Sequence, residues 1–130
     1  VLVACQEGHA DIIRYLCDQG GDIDRPNSQG HNPLLSAVAA NRPQSVEALI
    51  YGKVSVNKKE SSEGVFPLYL AAQDGYVDIA RMLIEAGAKL NQVSDHGASP
   101  LFIACQLGQV EIAKLLLDNG ADVDQPDHFG

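Results

Sequence analysis

The chain of 130 residues lacks most of the features that announce a chemistry. It has no run of about 18 apolar residues, the length that marks a bilayer-crossing helix. Its first ten residues, VLVACQEGHA, lack the positively charged flank of a secretory leader. Direct membrane insertion is therefore not expected. A basic strip is also missing: 9 Lys and Arg are scattered among 17 Asp and Glu, for a net charge of −8. Binding nucleic acid requires clustered cations that neutralise phosphates. No nucleic acid is expected as a partner, and a neutral or basic protein segment is the electrostatically easier one.

Cysteine is scarce too. Cys5, Cys17 and Cys105 form an odd set at apolar positions, which reads as three small buried hydrophobes in a reducing compartment, hence an intracellular, cytoplasmic setting. They are not grouped with other ligands at metal-binding spacing, so no metal is expected. There is no glycine-rich phosphate loop, no nucleophile elbow and no paired His on a helix face. His9, His31, His96 and His128 are dispersed, without a nucleophile or metal to work on. The expectation is a protein that is not an enzyme and carries no cofactor.

What the chain does have is a period. Sliding it against itself by 33, 34 and 100 residues superposes Pro33, Pro67 and Pro100, then Gly8, Gly75 and Gly108. Residues 1–26 match 101–126 at Ala4/Ala104, Cys5/Cys105, Gln6/Gln106, Leu16/Leu116 and Asp24/Asp124, among others. The units run 1–26 (partial), 27–60, 61–93 and 94–126, with 127–130 opening a further one. Because the first unit starts inside the pattern and the last residues open another, the expectation is a piece of a longer array. It would be a monomer with flanking repeats in the parent chain.

Each unit reads as turn, short helix, tight reversal, longer helix and loop. In the third, Pro67 suits the first helical position and Gly75 a left-handed stop. A second helix is predicted from about Val77 to Ala86, with Ile79 and Leu83 on one apolar face and Gly87 as its stop. Helices this short are not stable alone, so stability must come from stacking on neighbours. The pattern GHNPLLSAVAANR from Gly30, GVFPLYLAAQDGY from Gly64 and GASPLFIACQLGQ from Gly97 resembles the first half of the ankyrin repeat. LCDQGGDID from Leu16, LIEAGAKLN from Leu83 and LLDNGADVD from Leu116 resemble its second half. The resemblance covers essentially the whole chain. It implies an all-α solenoid of stacked antiparallel helix pairs with projecting β-turn loops.

The second unit departs most from the pattern. Asn41 and Lys53 replace the two stop glycines. Asn tolerates the left-handed conformation, whereas Lys does so less well, and Gly52 is expected to take the stop instead. One extra residue lies between Asn57 and Gly64, and a tolerated surface insertion is the simpler explanation. The family's His after Pro-Leu is replaced by Leu35, Tyr69 and Phe102, so apolar packing is expected to replace part of the hydrogen-bonding between turns. Asn32 and Ser99 suit N-caps; Phe66 does not.

The resemblance also implies a site. In such arrays the turn tips and the exposed side of the first helices form a concave groove that carries the partner. By position, Gln29, His31, Glu63, Val65, Gln73, Asp74, Asp95, His96, Gln106 and Leu107 fall there, with Gln6, Glu7, Ser28, Ala39, Ala40, Ser62, Ala98, His128 and Phe129 beside them. Val65, Leu107 and Phe129 suit apolar anchors, and the acids suit Lys or Arg on a partner. Ordinary solvated surface is the competing explanation for both. Asn57 and Asn91 occupy the position that resembles the target of an asparaginyl hydroxylase, although hydrogen bonding to the turn backbone explains them more simply. The implied function is a protein interaction module that binds a protein or peptide. A structural spacer in a longer repeat protein, or a regulatory segment of an attached enzyme or channel, is the alternative.

Overall fold

A computed structural model describes residues 2–26, 32–59 and 64–123. They form eight helices: α1 (Leu2–Glu7), α2 (Ala10–Asp18), α3 (Pro33–Ala39), α4 (Pro43–Tyr51), α5 (Pro67–Asp74), α6 (Val77–Glu85), α7 (Pro100–Gln106) and α8 (Val110–Asp118). No strand occurs among the described residues. Odd-numbered helices pack on one another in sequence, and so do even-numbered ones, which makes two layers of four. Each odd helix also packs on the even helix that follows it.

The local rules place the helix boundaries. Pro33, Pro43, Pro67 and Pro100 open helices, where a missing N–H costs nothing. Asn32 and Ser99 cap as expected, accepting from the Leu35 N–H at 2.8 Å and the Phe102 N–H at 3.1 Å. Phe66 makes no side-chain cap and is buried instead. Gly75 and Asn41 end first helices in the left-handed region, at φ 78° and 53°. The second helix of the third unit stops at Glu85, one residue short of the expected Ala86.

One expectation fails at the end of α4. Lys53 itself takes the left-handed conformation, φ 63°, and Gly52 stays at φ −77°. Gly52 is needed for space: a Cβ there would overlap Ile23 and the Cys17 Sγ of the preceding unit. Since Gly52 is held by this close approach, the stop falls on Lys53, in the column that holds Gly20, Gly87 and Gly120 elsewhere.

The core lies between the layers and continues across all units. Leu49, Leu83 and Leu116 occupy one column and are fully buried, each worth roughly 1.5–3 kcal/mol of transfer free energy. Ala4, Ala37, Ala71 and Ala104 occupy the matching column on the first helices, where small side chains let the layers approach. Positions at the two ends of the stack lose this cover. Ile12 is 51% exposed, although its counterparts Ile79 and Ile112 are buried. The cause is that Ile79 and Ile112 each have a preceding helix pair beside them, whereas no described helix pair precedes Ile12.

The same argument corrects the cysteine reading. Cys5 is buried and Cys17 partly so, but Cys105 is exposed. Cys5 shares its column with Val38 and Ala72, both fully buried under a following unit; no described helix pair follows Cys105. Burial pushes the Cys5 thiol up from 9.0 to about 11. Burial also raises the Cys17 thiol, with the Asp18 charge adding to it.

Two outcomes follow. Substituting Lys53→Gly should raise stability, by on the order of 1 kcal/mol, because glycine adopts the left-handed region freely; a lower denaturant midpoint would contradict this. For Cys5, the unfolded state releases its proton at lower pH than the folded state. Its contribution is therefore complete below about pH 9 and lost as pH rises towards 11. The melting temperature should fall across that window less steeply in Cys5→Ala, and a thiol reagent should label folded protein at Cys105 first.

Candidate functional site

Only two or three residues separate each first helix from the second, so the chain reverses tightly and every first helix ends on the same side of the stack. The last residues of α1, α3, α5 and α7 consequently form two rows. One row is Gln6, Ala39, Gln73 and Gln106, all exposed. The other is Glu7, Ala40, Asp74 and Leu107, exposed except for a half-buried Ala40. Leu107 is 50% exposed, an apolar side chain beside a polar row.

Beneath these rows, side chains from the start of the next second helix tie the units. Arg42 donates through Nε to the Gln6 carbonyl at 3.0 Å, and Gln109 donates through Nε2 to the Gln73 carbonyl at 3.1 Å. These two residues were missed in sequence because their side chains differ in type and reach back to backbone carbonyls of the preceding unit. Their shared column after the stop residue was the available signal. Gly75 leaves room for this tie, since a Cβ there would lie 2.7 Å from the Gln109 amide oxygen.

The turn tips sit less openly than expected. Asp95 and His96 are exposed at the tip before α7. Val65 is half-buried, and Ala98 is buried at 6%, its N–H donating to Ser94 Oγ at 3.3 Å. Neither is a freely exposed anchor: Val65 precedes the buried Phe66, and Ala98 belongs to the hydrogen-bonded base of its turn. Gly64 is buried, at φ 69°, and a Cβ there would overlap the Asp95 carboxylate and lie 2.8 Å from the Asp95 backbone nitrogen. Two successive tips therefore touch backbone to side chain. Gln29, His31 and Glu63, with Ser28, Ser62, His128 and Phe129, lie outside the described residues.

The residues after Pro-Leu behave unequally. Leu35 is buried, Tyr69 sets its ring 5.8 Å from that of Phe66, and Phe102 is 38% exposed at the end of the stack. Leu35 and the Phe66–Tyr69 ring contact supply the apolar packing expected in the second and third units.

Asn57 and Asn91 tie successive loops. Asn57 Oδ1 accepts from the Lys89 N–H at 2.8 Å, and Asn91 Oδ1 accepts from the Asp122 N–H at 2.8 Å. Asp24, in the same column, accepts the Ser55 N–H at 3.3 Å. These hydrogen bonds account for both asparagines without any modification.

Among the described residues there is no group of three or more His, Cys, Asp or Glu able to hold a metal, and no helix is long and apolar enough to cross a membrane. What the geometry defines is a regular stack of helix pairs with a continuous polar row and projecting turns, the class of helical repeat proteins. The chain belongs to the ankyrin repeat family: the family model for ankyrin repeats in three copies matches residues 1–60 and 41–127. It is similar to human ankyrin repeat and SOCS box protein 3, at 34% identity over 70% of this chain and 18% of that protein. Human neurogenic locus notch homolog protein 2 is 35% identical over 72% of the chain and 4% of its own length. Arabidopsis thaliana E3 ubiquitin-protein ligase KEG is 30% identical over 72% and 6%. The chain thus spans less than a fifth of each of these relatives.

The tip contact yields a comparison of two glycines. Gly64 and Gly87 are both left-handed, but only Gly64 has atoms within reach of an added Cβ. Gly64→Ala should therefore destabilise more than Gly87→Ala, by about 1–3 kcal/mol beyond the shared backbone cost. Equal losses in chemical denaturation would show that the tips do not touch.

Proposed function

We propose that the chain binds a protein or peptide segment in the concave groove, across the rows that end the first helices. Ankyrin repeats are protein interaction modules and are generally non-catalytic, which fixes the coarse function. The observation that favours the groove is the combination of an exposed apolar Leu107 with a line of exposed amides, Gln6, Gln73 and Gln106. An extended peptide presents backbone donors and acceptors that such amides satisfy, and an apolar side chain can cover Leu107. Exposed Glu7 and Asp74 along these rows, and Asp95 at a turn tip, add negative charge and favour Lys or Arg in the partner. Ala39 in the second unit is a short exposed side chain between Gln6 and Gln73, which makes the row shallow there. Of the positions assigned by family resemblance, Gln73, Asp74, Asp95, His96, Gln106 and Leu107 carry this reading. Gln29, His31, Glu63 and Val65 stay with it as flanking turn positions.

The experiment is selection from a random peptide library displayed against the chain, followed by affinity measurement for a selected peptide. Leu107→Arg and Gln73→Arg should each weaken it about tenfold or more while circular dichroism stays unchanged. Selected peptides that bind both variants as tightly as the parent would remove the groove from consideration and leave a spacer role as the better account.

A further inference from the structure

Read along the chain, the nine basic residues look scattered; in the fold they are not. Five of them, Arg25, Lys53, Lys58, Lys59 and Lys89, fall in the loops that follow α2, α4 and α6, and all five are exposed. These loops are stacked on one edge by the hydrogen bonds from Ser55 to Asp24 and from Lys89 to Asn57. Lys58 reaches back as well, its Nζ 3.5 Å from the Asp24 carbonyl. Helix reversal puts this edge at the far end of the helices from the Gln and acid rows.

Charge along the edge changes sign twice. The first loop carries Asp22 and Asp24 beside Arg25, and the fourth carries Asp122. Between them, residues 53–59 and 87–93 hold Lys53, Lys58, Lys59 and Lys89 without an acid, and Asp95 lies further along the third loop, at its tip. Asn57 and Asn91 stand in the column that holds Asp24 in the first loop, so the loop tie is kept there without a negative charge. None of the four lysines forms a salt bridge among the described residues. Glu60 and Glu63 follow in sequence, outside those residues.

Lys53 adds an independent argument. It is held at φ 63° in a column where the other units use glycine. Glycine would avoid the steric cost, so the cation stands where local backbone preference disfavours it, and such outliers gather at functional positions.

We propose that the loop edge of the second and third units is a second docking surface, for a short acidic segment of a partner protein. Four exposed lysines within two adjacent loops, none in a salt bridge among the described residues, suit two to four carboxylates. Acid at both ends of the edge limits the occupant. A polyanion that tracked the whole edge would run into Asp22 and Asp24 on one side and Asp122 on the other, which disfavours nucleic acid. The lysines lie at the opposite end of the helices from the Gln rows, in loops whose tips carry Val65, Asp95 and His96, and the test uses residues outside the groove assignment.

The probe is fluorescein-labelled hexaglutamate, followed by anisotropy at low salt, with a 12-nucleotide oligothymidine as the competing class. Hexaglutamate should bind, and the double variant Lys58→Glu, Lys59→Glu should weaken it by about tenfold. Arg81→Glu, Lys114→Glu, which changes net charge equally on the exposed faces of α6 and α8, should weaken it less than about twofold. Lys53→Gly should also lower affinity although it relieves the backbone. The proposal is overturned by no binding to the parent, by equal losses in the two double variants, by unchanged affinity in Lys53→Gly, or by tighter binding of oligothymidine than of peptide.

Discussion

Everything in this fold depends on the close approach of one helix pair to the next. A pair of six- to nine-residue helices exposes an apolar stripe that it cannot cover itself. The alanine column of the first helices and the leucine column of the second meet only when another pair is laid alongside. That single requirement explains the exposed Ile12 at one end, the exposed Phe102 and Cys105 at the other, and the greater burial of their counterparts in neighbouring units. It also explains why glycine recurs for two different reasons. Gly75 supplies a left-handed turn and room for Gln109, whereas Gly52 has an ordinary backbone and serves only to let the preceding unit in.

Stacking leaves two kinds of surface free, and they differ in what they can recognise. The ends of the first helices give a regular row of amides and acids whose spacing is set by the core beneath. The loops after the second helices are less regular, and charge there varies from unit to unit on an almost constant backbone. A scaffold of this kind separates the residues that hold units together from those that face a partner. Arg42, Gln109, Asn57 and Asn91 belong to the first group although they are polar and lie near the surface.

Much of the architecture was legible in the sequence because it rests on local rules repeated several times. Prolines at helix starts, Asn32 and Ser99 as caps, and the apolar columns all act within a few residues and fell where expected. What could not be read depended on contacts between units. Whether Gly52 or Lys53 takes the stop is decided by Cys17 and Ile23, about thirty residues away. The exposure of Cys105 is decided by what lies beside it, not by its own column. At the candidate groove, exposure of Gln73, Gln106 and Leu107 followed from helix phase, but Val65 and Ala98 were drawn inward by the packing of the turns. The clustering of lysines was invisible because residues about thirty apart become neighbours only when the loops stack.

Three of the loop ties share a direction. In these, a side-chain oxygen of an earlier unit, Asp24, Asn57 or Asn91, accepts the backbone N–H of a later one, Ser55, Lys89 or Asp122, while the Asn57 amide also donates to the Gly87 carbonyl at 3.4 Å. A nascent chain leaves the ribosome amino end first, so each acceptor is already waiting when the amide it must satisfy arrives.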